Sequence, residues 1–317
     1  MANPDMTELA TTTIRHRSRR LADNITNNNA LLAHLKKRGN IKSFSGGRTI
    51  LEEIMYDEND TFKWYSGYEV LDVRPNDILS AAEFGVKQCA ATVMISGLEK
   101  IQNSGKEKMI DLLDSRIKGA ERTMTNQLSR GVYSDGTGNN GKQIGGLASL
   151  VTTAPATGKV GGIDRASHEF WRNAAKVNAV LSDIKIELQD MWVQMVRGDD
   201  QPTAMVADNV VYTAFWNSLQ DQQRYGADGS RANMGFENLM FNNTPFLLDG
   251  GYQGNAPEKR CYFINSNYLK LRYHPDMNMT STDMTRQPNQ DAYASFIQWA
   301  GNMCMSNAFL QGVIQFA

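Results

Sequence analysis

Between Thr7 and Lys37 the apolar positions Leu9, Ile14, Leu21, Ile25, Leu32 and Leu35 keep a rough helical spacing, broken by Asn27, Asn28 and Asn29. The pattern predicts a helix-rich arm. Its apolar content is thin for its length, so the arm is expected to order by lying against something else. Gly46 and Gly47 end the pattern. RTILEEIMY, the acidic turn DENDT and FKWYSGYEVLDV then read as two β-rich stretches joined by turn residues, a hairpin over residues 48–73. Phe62, Trp64, Tyr65 and Tyr68 stand there beside charged residues with no evident core partner, as suits an extended interaction loop. After Pro75 and Asn76, ILSAAEFGVKQCAATVMISG alternates over a length long for one strand, which predicts a long strand feeding the hairpin.

Met109, Leu113, Ile117, Ala120, Met124 and Leu128 recur at spacings of four and three, opposite a face of Lys106, Asp111, Arg116, Glu121 and Arg122. This predicts a spine helix over about residues 105–130, roughly 37 Å long at 1.5 Å per residue, ending at Gly131. SDGTGNNGKQIGG is a loop by composition. Val177, Leu181, Ile184, Leu188, Met191 and Met195 predict a second helix over residues 175–196. TAMVADNVVYTAF reads as a buried strand and then a helix carrying Phe215, Trp216 and Leu219. FENLMFN, TPFLLDGG, RCYFINSNYLKLRY, SFIQWAG and AFLQGVIQFA complete an α+β reading with no internal repeat.

The composition is that of an ordinary globular protein: 317 residues, 41% hydrophobic, with a formal net charge of −1. This excludes dominant disorder and leaves one large domain or two moderate ones. No apolar run approaches the ~20 residues of a membrane-spanning helix, and MANPDMTELATTT lacks the apolar centre of a signal peptide; a soluble chain made for the cytoplasm is expected. The small net charge hides an asymmetry. Residues 1–50 carry a net +6, from Arg15, Arg17, Arg19, Arg20, Lys36, Lys37, Arg38, Lys42 and Arg48 against three acids, whereas residues 50–84 carry a net −7. Segregated charge of this kind suits attraction between copies, or a basic arm facing a polyanion; two solvated faces explain it equally well.

Candidate chemistry is sparse. Cys89, Cys261 and Cys304 have no CxxC spacing and sit among apolar neighbours, so buried inert thiols are expected. Gly136 to Lys142 matches the GxxxxGK spacing of a phosphate loop, but Gln143 stands where Ser or Thr must ligate magnesium, and the segment leaves a helix rather than a strand. A flexible loop is the better reading. His16, His34, His168 and His274 have no metal-ligand spacing, and His168 reads as a surface or helix-start residue. The adjacent acids Glu52-Glu53 and Asp199-Asp200 point apart and read as solvated charges rather than a dyad. No GxSxG or cysteine-protease signature is present. IRHRSRR and Lys36-Lys37-Arg38 suit phosphate contact without base readout, since no aromatics are interleaved, and suit a solvated helix face equally well. Met277, Met279, Met284, Met303 and Met305 read as soft packing material.

Over residues 5–317 the order of elements, with the wording NNNALLAHLKKRGNIKSFSGGRTILEE, YSGYEVLDVRPNDILSAAEF, ISGLEKIQNSGKEKMIDLLDSRIKGAERTM and YSDGTGNNGKQIGGL, resembles the major capsid protein of tailed bacteriophages and its encapsulin kin. The resemblance implies that α+β fold, with an N-terminal arm (1–46), an extended β-hairpin loop (47–78), a peripheral domain with the spine helix (79–134) and an axial domain (135–317) whose late strands return to the peripheral one. It implies no enzyme activity and no cofactor, and self-association as pentamers and hexamers into an icosahedral shell around double-stranded DNA, assembled in the host cytoplasm. Subunit contact is then expected at Phe62, Lys63, Trp64, Tyr65 and Tyr68, with an inner basic arm of Arg15, Arg17, Arg19, Arg20, Lys36, Lys37 and Arg38. Further expected partners are a portal, a separate scaffolding protein or protease and a decoration protein, with no membrane. Some relatives crosslink through a loop lysine; Lys63 is the one lysine there, and a non-covalent shell is favoured. Three alternatives remain: an encapsulin-like compartment, a nucleotide-binding enzyme using the loop at Gly136–Lys142, and a monomeric binding module.

Overall fold

The computed structural model describes residues 29–57, 59–75, 78–102, 106–223, 239–249, 255–286 and 288–317. The first described helix, α1 (Ala30–Lys37), begins where the asparagine cluster ends. Asn29 is extended and accepts the Leu32 N–H at 2.9 Å, which satisfies one orphan donor of the first turn, while its own amide donates to the Ser129 carbonyl at 3.3 Å. Leu31, Leu32 and Leu35 are buried in the chain's own core. The expectation that this stretch packs weakly and orders against something else is thereby corrected for residues 30–37, because three leucines on one stripe anchor two helical turns in the chain's own core. The rest of the expected arm, residues 1–28, lies outside the described residues.

Strand β1 (Ile41–Ser43) runs parallel to a later strand, and β2 (Thr49–Met55) pairs antiparallel with β3 (Leu79–Gly85) in seven register pairs, Thr49 opposite Gly85 and Met55 opposite Leu79. A hairpin therefore exists, but FKWYSGYEVLDV is its connection and not its second strand. The long strand expected over residues 78–97 is likewise two strands, β3 and β4 (Lys87–Ser96), in different sheets. The division falls at Gly85, whose carbonyl accepts from the Asn302 amide at 2.8 Å and so leaves the ladder.

Helix α2 (Gly97–Gln102) precedes α3 (Lys106–Gly131), 26 residues or about 39 Å, where the periodicity placed the spine. A two-residue ladder, β5 (Lys159–Val160) with β6 (Ile163–Asp164), follows. The helix expected over 175–196 is split into strand β7 (Ala174–Ala179) and helix α4 (Ile184–Met195). Asn178 takes φ +58°, off the helical path, and β7 gains ladder hydrogen bonds that a solvent-facing first turn would lack. Then come β8 (Ala204–Ala207), α5 (Asn209–Gln223), β9 (Leu239–Phe241), β10 (Thr244–Leu248), β11 (Arg260–Ile264), β12 (Leu269–Ser281), β13 (Thr285–Arg286), β14 (Ala292–Met305) and β15 (Gly312–Phe316).

Two main sheets result. One has the order β1-β12-β14-β13 with β4 on the other edge of β14; the second has the order β7-β15-β11-β8-β10-β9. Strand β12 loses register between Tyr273 and Asn278, where Pro275 has no N–H to give the ladder. The first sheet shares a core with α1, the β2–β3 ladder and α3 through residues such as Ile54, Phe84, Ile117, Met124 and Ile297. The second packs α4 and α5 through Leu188, Met191, Phe215, Phe246 and Ile314. Met279, Met284, Met303 and Met305 are buried, as soft packing material should be, whereas Met277 is only half-buried.

Candidate contact surface

The β2–β3 ladder has one face in and one face out. Ile50, Glu52 and Ile54 alternate inward with Ala82 and Phe84, whereas Leu51, Glu53, Met55 and Leu79 face solvent. Glu52 is thus not the solvated charge its neighbour Glu53 is. Only 3% exposed, it accepts from Lys270 Nζ at 2.7 Å and from Arg272 Nε at 2.6 Å, both on β12. Burial alone would raise its carboxyl, but the hydrogen bonds and charges of Arg272 and Lys270 outweigh burial and hold it below the usual carboxylate range. This ion triad pins the ladder to the first sheet and so fixes where the connecting loop leaves the body.

The described part of the loop, residues 56–57, 59–75 and 78, is braced from within. Arg74 reaches Asp60 at 2.7 Å and Asp72 at 3.2 Å. Lys63 donates to the Val70 carbonyl, and Asn59 accepts from the Thr61 N–H at 3.0 Å and hydroxyl at 2.7 Å, closing an Asx turn. Phe62 and Trp64 meet edge to face at 5.6 Å. These braces leave the aromatics bare: Trp64 is 90% exposed, Phe62 73%, Tyr65 62% and Tyr68 fully. Val70 and Val73 are equally open. Burying one such side chain against a partner is worth roughly 1.5–3 kcal/mol, so six bare apolar side chains on one loop make it a candidate contact surface.

Lys36, Lys37 and Arg38 are exposed at the C-terminal end of α1, where cations suit the helix dipole. Arg15, Arg17, Arg19 and Arg20 lie outside the described residues. Gly136 to Gln143 forms a surface turn in which Asn139 and Asn140 take positive φ, and it leaves the end of α3 rather than a strand. His34 is lowered to about 4 by burial and then by the charges of Arg38 and Lys37; His168 is exposed at the start of a short 3-10 turn; His274 packs edge-on against Phe44. Among the described residues no group of three His, Cys, Asp or Glu side chains is placed to hold a metal. Asp200 accepts from the Tyr268 hydroxyl at 2.9 Å while Asp199 faces solvent, so the two make no dyad. All three thiols are free; burial raises Cys89 to about 11 and pushes Cys261 and Cys304 up further, which leaves them as inert packing. No described helix is long and apolar enough to cross a membrane.

One feature escaped the sequence. Strand β4, helix α3 and the turn at 139–144 enclose an open cleft of about 1080 Å³. Its charged lining residues, Lys87, Arg116 and Lys142, are all basic, and Ala91, Val93, Met124, Leu128 and Trp299 contribute apolar lining.

No protein-family model and no curated protein sequence matches the chain. Solved structures do. The capsid asymmetric unit of cyanophage A-1(L) aligns over 87% of this chain and 90% of its own, with a TM-score of 0.63 and 12% identity. The virus-like particle from Pyrococcus furiosus aligns over 96% and 99%, with a TM-score of 0.52 and 10% identity. The holo-SrpI encapsulin complex from Synechococcus elongatus PCC 7942 aligns over 74% and 75%, with a TM-score of 0.51 and 8% identity. The chain has the fold of tailed-phage capsid subunits.

Proposed function

We propose that the chain is a structural shell protein, whose copies associate as pentamers and hexamers into a closed icosahedral capsid around double-stranded DNA and take no catalytic part. The observation that carries this reading is the internally braced loop whose aromatics stay largely exposed. An apolar projection braced by its own hydrogen bonds and ion pairs has less freedom to lose on docking, which favours association. In this reading residues 1–46 are an arm, 47–78 the loop over a neighbour, 79–134 a peripheral domain and 135–317 an axial domain. Phe62, Lys63, Trp64, Tyr65 and Tyr68 form the subunit contact. The basic residues Arg15, Arg17, Arg19, Arg20, Lys36, Lys37 and Arg38 neutralise packaged phosphates without reading sequence. The shell sits in the virion and is built in the host cytoplasm with a portal, a separate scaffold or protease and a decoration protein.

Likeness to an encapsulin supports a second reading, a compartment filled with a cargo protein. The contents of purified shells decide between the two. Electron microscopy of a variant in which residues 59–74 are replaced by a short turn tests the common premise: the β2–β3 ladder stays, so folded subunits that no longer close shells are expected. Normal shells from that variant would remove the loop from the assembly mechanism.

A further inference from the structure

Arg165 is the one cation in the interior whose charge the fold does not answer. Its exposure is 0%, and among the described residues it makes no ion pair. The Leu150 carbonyl accepts from Nη2, while Nε and Nη1 have no acceptor among the described residues. The two acids nearest in sequence are committed elsewhere: Asp164 accepts the Ala166 N–H at 2.9 Å, and the exposed Glu169 pairs with Arg172 at 2.8 Å. Burial lowers Arg165 only to about 10, so the guanidinium stays cationic at neutral pH. An ion taken out of water without a counter-charge is among the costliest arrangements an interior can hold. We propose that Arg165 forms one wall of a closed binding site for a small inorganic anion of the halide class.

The geometry selects the ligand. A carboxylate of another copy, or a nucleic-acid phosphate, cannot reach a side chain of 0% exposure without lifting its cover. Large or multiply charged oxoanions cost more to strip of water than a halide does, which disfavours them in a closed site. Water would meet the free N–H groups but leave the charge unanswered.

The segment that carries Arg165 is tied at several points. The Arg165 N–H donates to the Gly158 carbonyl at 3.1 Å, its own carbonyl accepts from Arg172 Nε at 2.7 Å, and Trp171 Nε1 donates to the Val160 carbonyl at 2.9 Å. The same segment reaches β3, where the Glu83 N–H donates to the Gly161 carbonyl at 2.9 Å. With its counter-ion in place the guanidinium joins residues 150 and 165 without an electrostatic penalty, so the anion braces the turn against which the β2–β3 ladder rests.

Hydrogen exchange of the wild-type protein in sodium bromide and in sodium gluconate at equal ionic strength tests the site, gluconate being too large to enter. At a bromide concentration about 100 times the dissociation constant, amides of residues 150–173 are expected to exchange about 100-fold more slowly than in gluconate, with far smaller changes in β12 and β14. Arg165→Met keeps an unbranched chain without the charge, and its exchange should be the same in both salts. Equal exchange of the wild type in the two salts would overturn the proposal and leave water on the free donors. So would a bromide effect that persists in Arg165→Met. Should that variant fail to fold, the wild type decides by location, since slowing spread evenly over the chain would place the anions elsewhere.

Discussion

Replacing Glu52 by Ala removes the one anion in a triad whose two cations remain. Deleting a single partner of a buried ion pair costs about 3–5 kcal/mol, mostly because the other charge is left uncompensated. Lys270 and Arg272 are 21% and 20% exposed, so both can turn partly to water, and the lower end of that range, about 3 kcal/mol, applies. The β2–β3 ladder is a separate two-stranded sheet, so the loss falls on its local opening before it reaches the global transition. Hydrogen exchange at residues 49–55 and 79–85 should accelerate by roughly 100-fold, at 1.4 kcal/mol per factor of ten, while β8 and β11 change far less. The pH response has a definite sign. A carboxyl held below its ordinary range contributes fully above that range, and the contribution is lost as pH falls through the lowered folded value. Ladder protection in the wild type should therefore weaken in acid, and Glu52→Gln, which keeps the shape without the charge, should flatten that dependence. Equal exchange at these amides in wild type and Glu52→Ala at neutral pH would show that the triad does not anchor the ladder.

Leu35→Ala should cost about 3 kcal/mol, within the 2–5 kcal/mol typical of a buried leucine, and lower the urea midpoint without changing the slope; a loss under about 1 kcal/mol would take α1 out of the core. Gly146→Ala places a Cβ 2.4 Å from the carbonyl oxygens of Gly131 and Val132 and 2.6 Å from the Ser134 nitrogen, all backbone atoms that cannot swing aside. A loss of roughly 2–3 kcal/mol in thermal unfolding is expected, and a neutral result would contradict the packing of this turn against the end of α3. Titration of the native protein with an aromatic disulfide at about pH 8 should find Cys261 and Cys304 silent and Cys89 slow, speeding up as pH rises. A fast burst of two or three thiols would refute that burial.

What the sequence made legible follows from the range of the forces involved. The spine helix was readable to within a residue because its six apolar positions repeat inside one segment. The bare aromatics of the loop were readable because no apolar periodicity surrounds them to supply a core. The second strand of the hairpin was not, since β2 selects Leu79–Gly85 across a loop longer than either strand, and only tertiary pairing distinguishes that run from FKWYSGYEVLDV. The triad left half a trace: Glu52 sits two residues from Ile50 and from Ile54, which marks an inward face, but Lys270 and Arg272 lie about 220 positions away. In β7 a helical spacing lost to ladder pairing with β15, propensity yielding to context. The cleft left no trace at all, because it exists only in the angle between a strand and a helix.

Strand β15 lies inside the second sheet, flanked by β7 and β11, although residues 312–316 are the last of that sheet's strands to be synthesised. On the ribosome β11, β8, β10 and β9 can pair with one another, whereas β7 has no neighbour among the described strands until β15 has emerged. A chain that lacks β15 thus has β7 detached from the four-stranded remainder of its largest described sheet, with Val313, Ile314 and Phe316 missing from the two cores. Such a fragment exposes the apolar surface that chaperones and proteases recognise. The order of strands therefore sets an order in time: the edge strand β7 is recruited to its sheet only after β15 has been made.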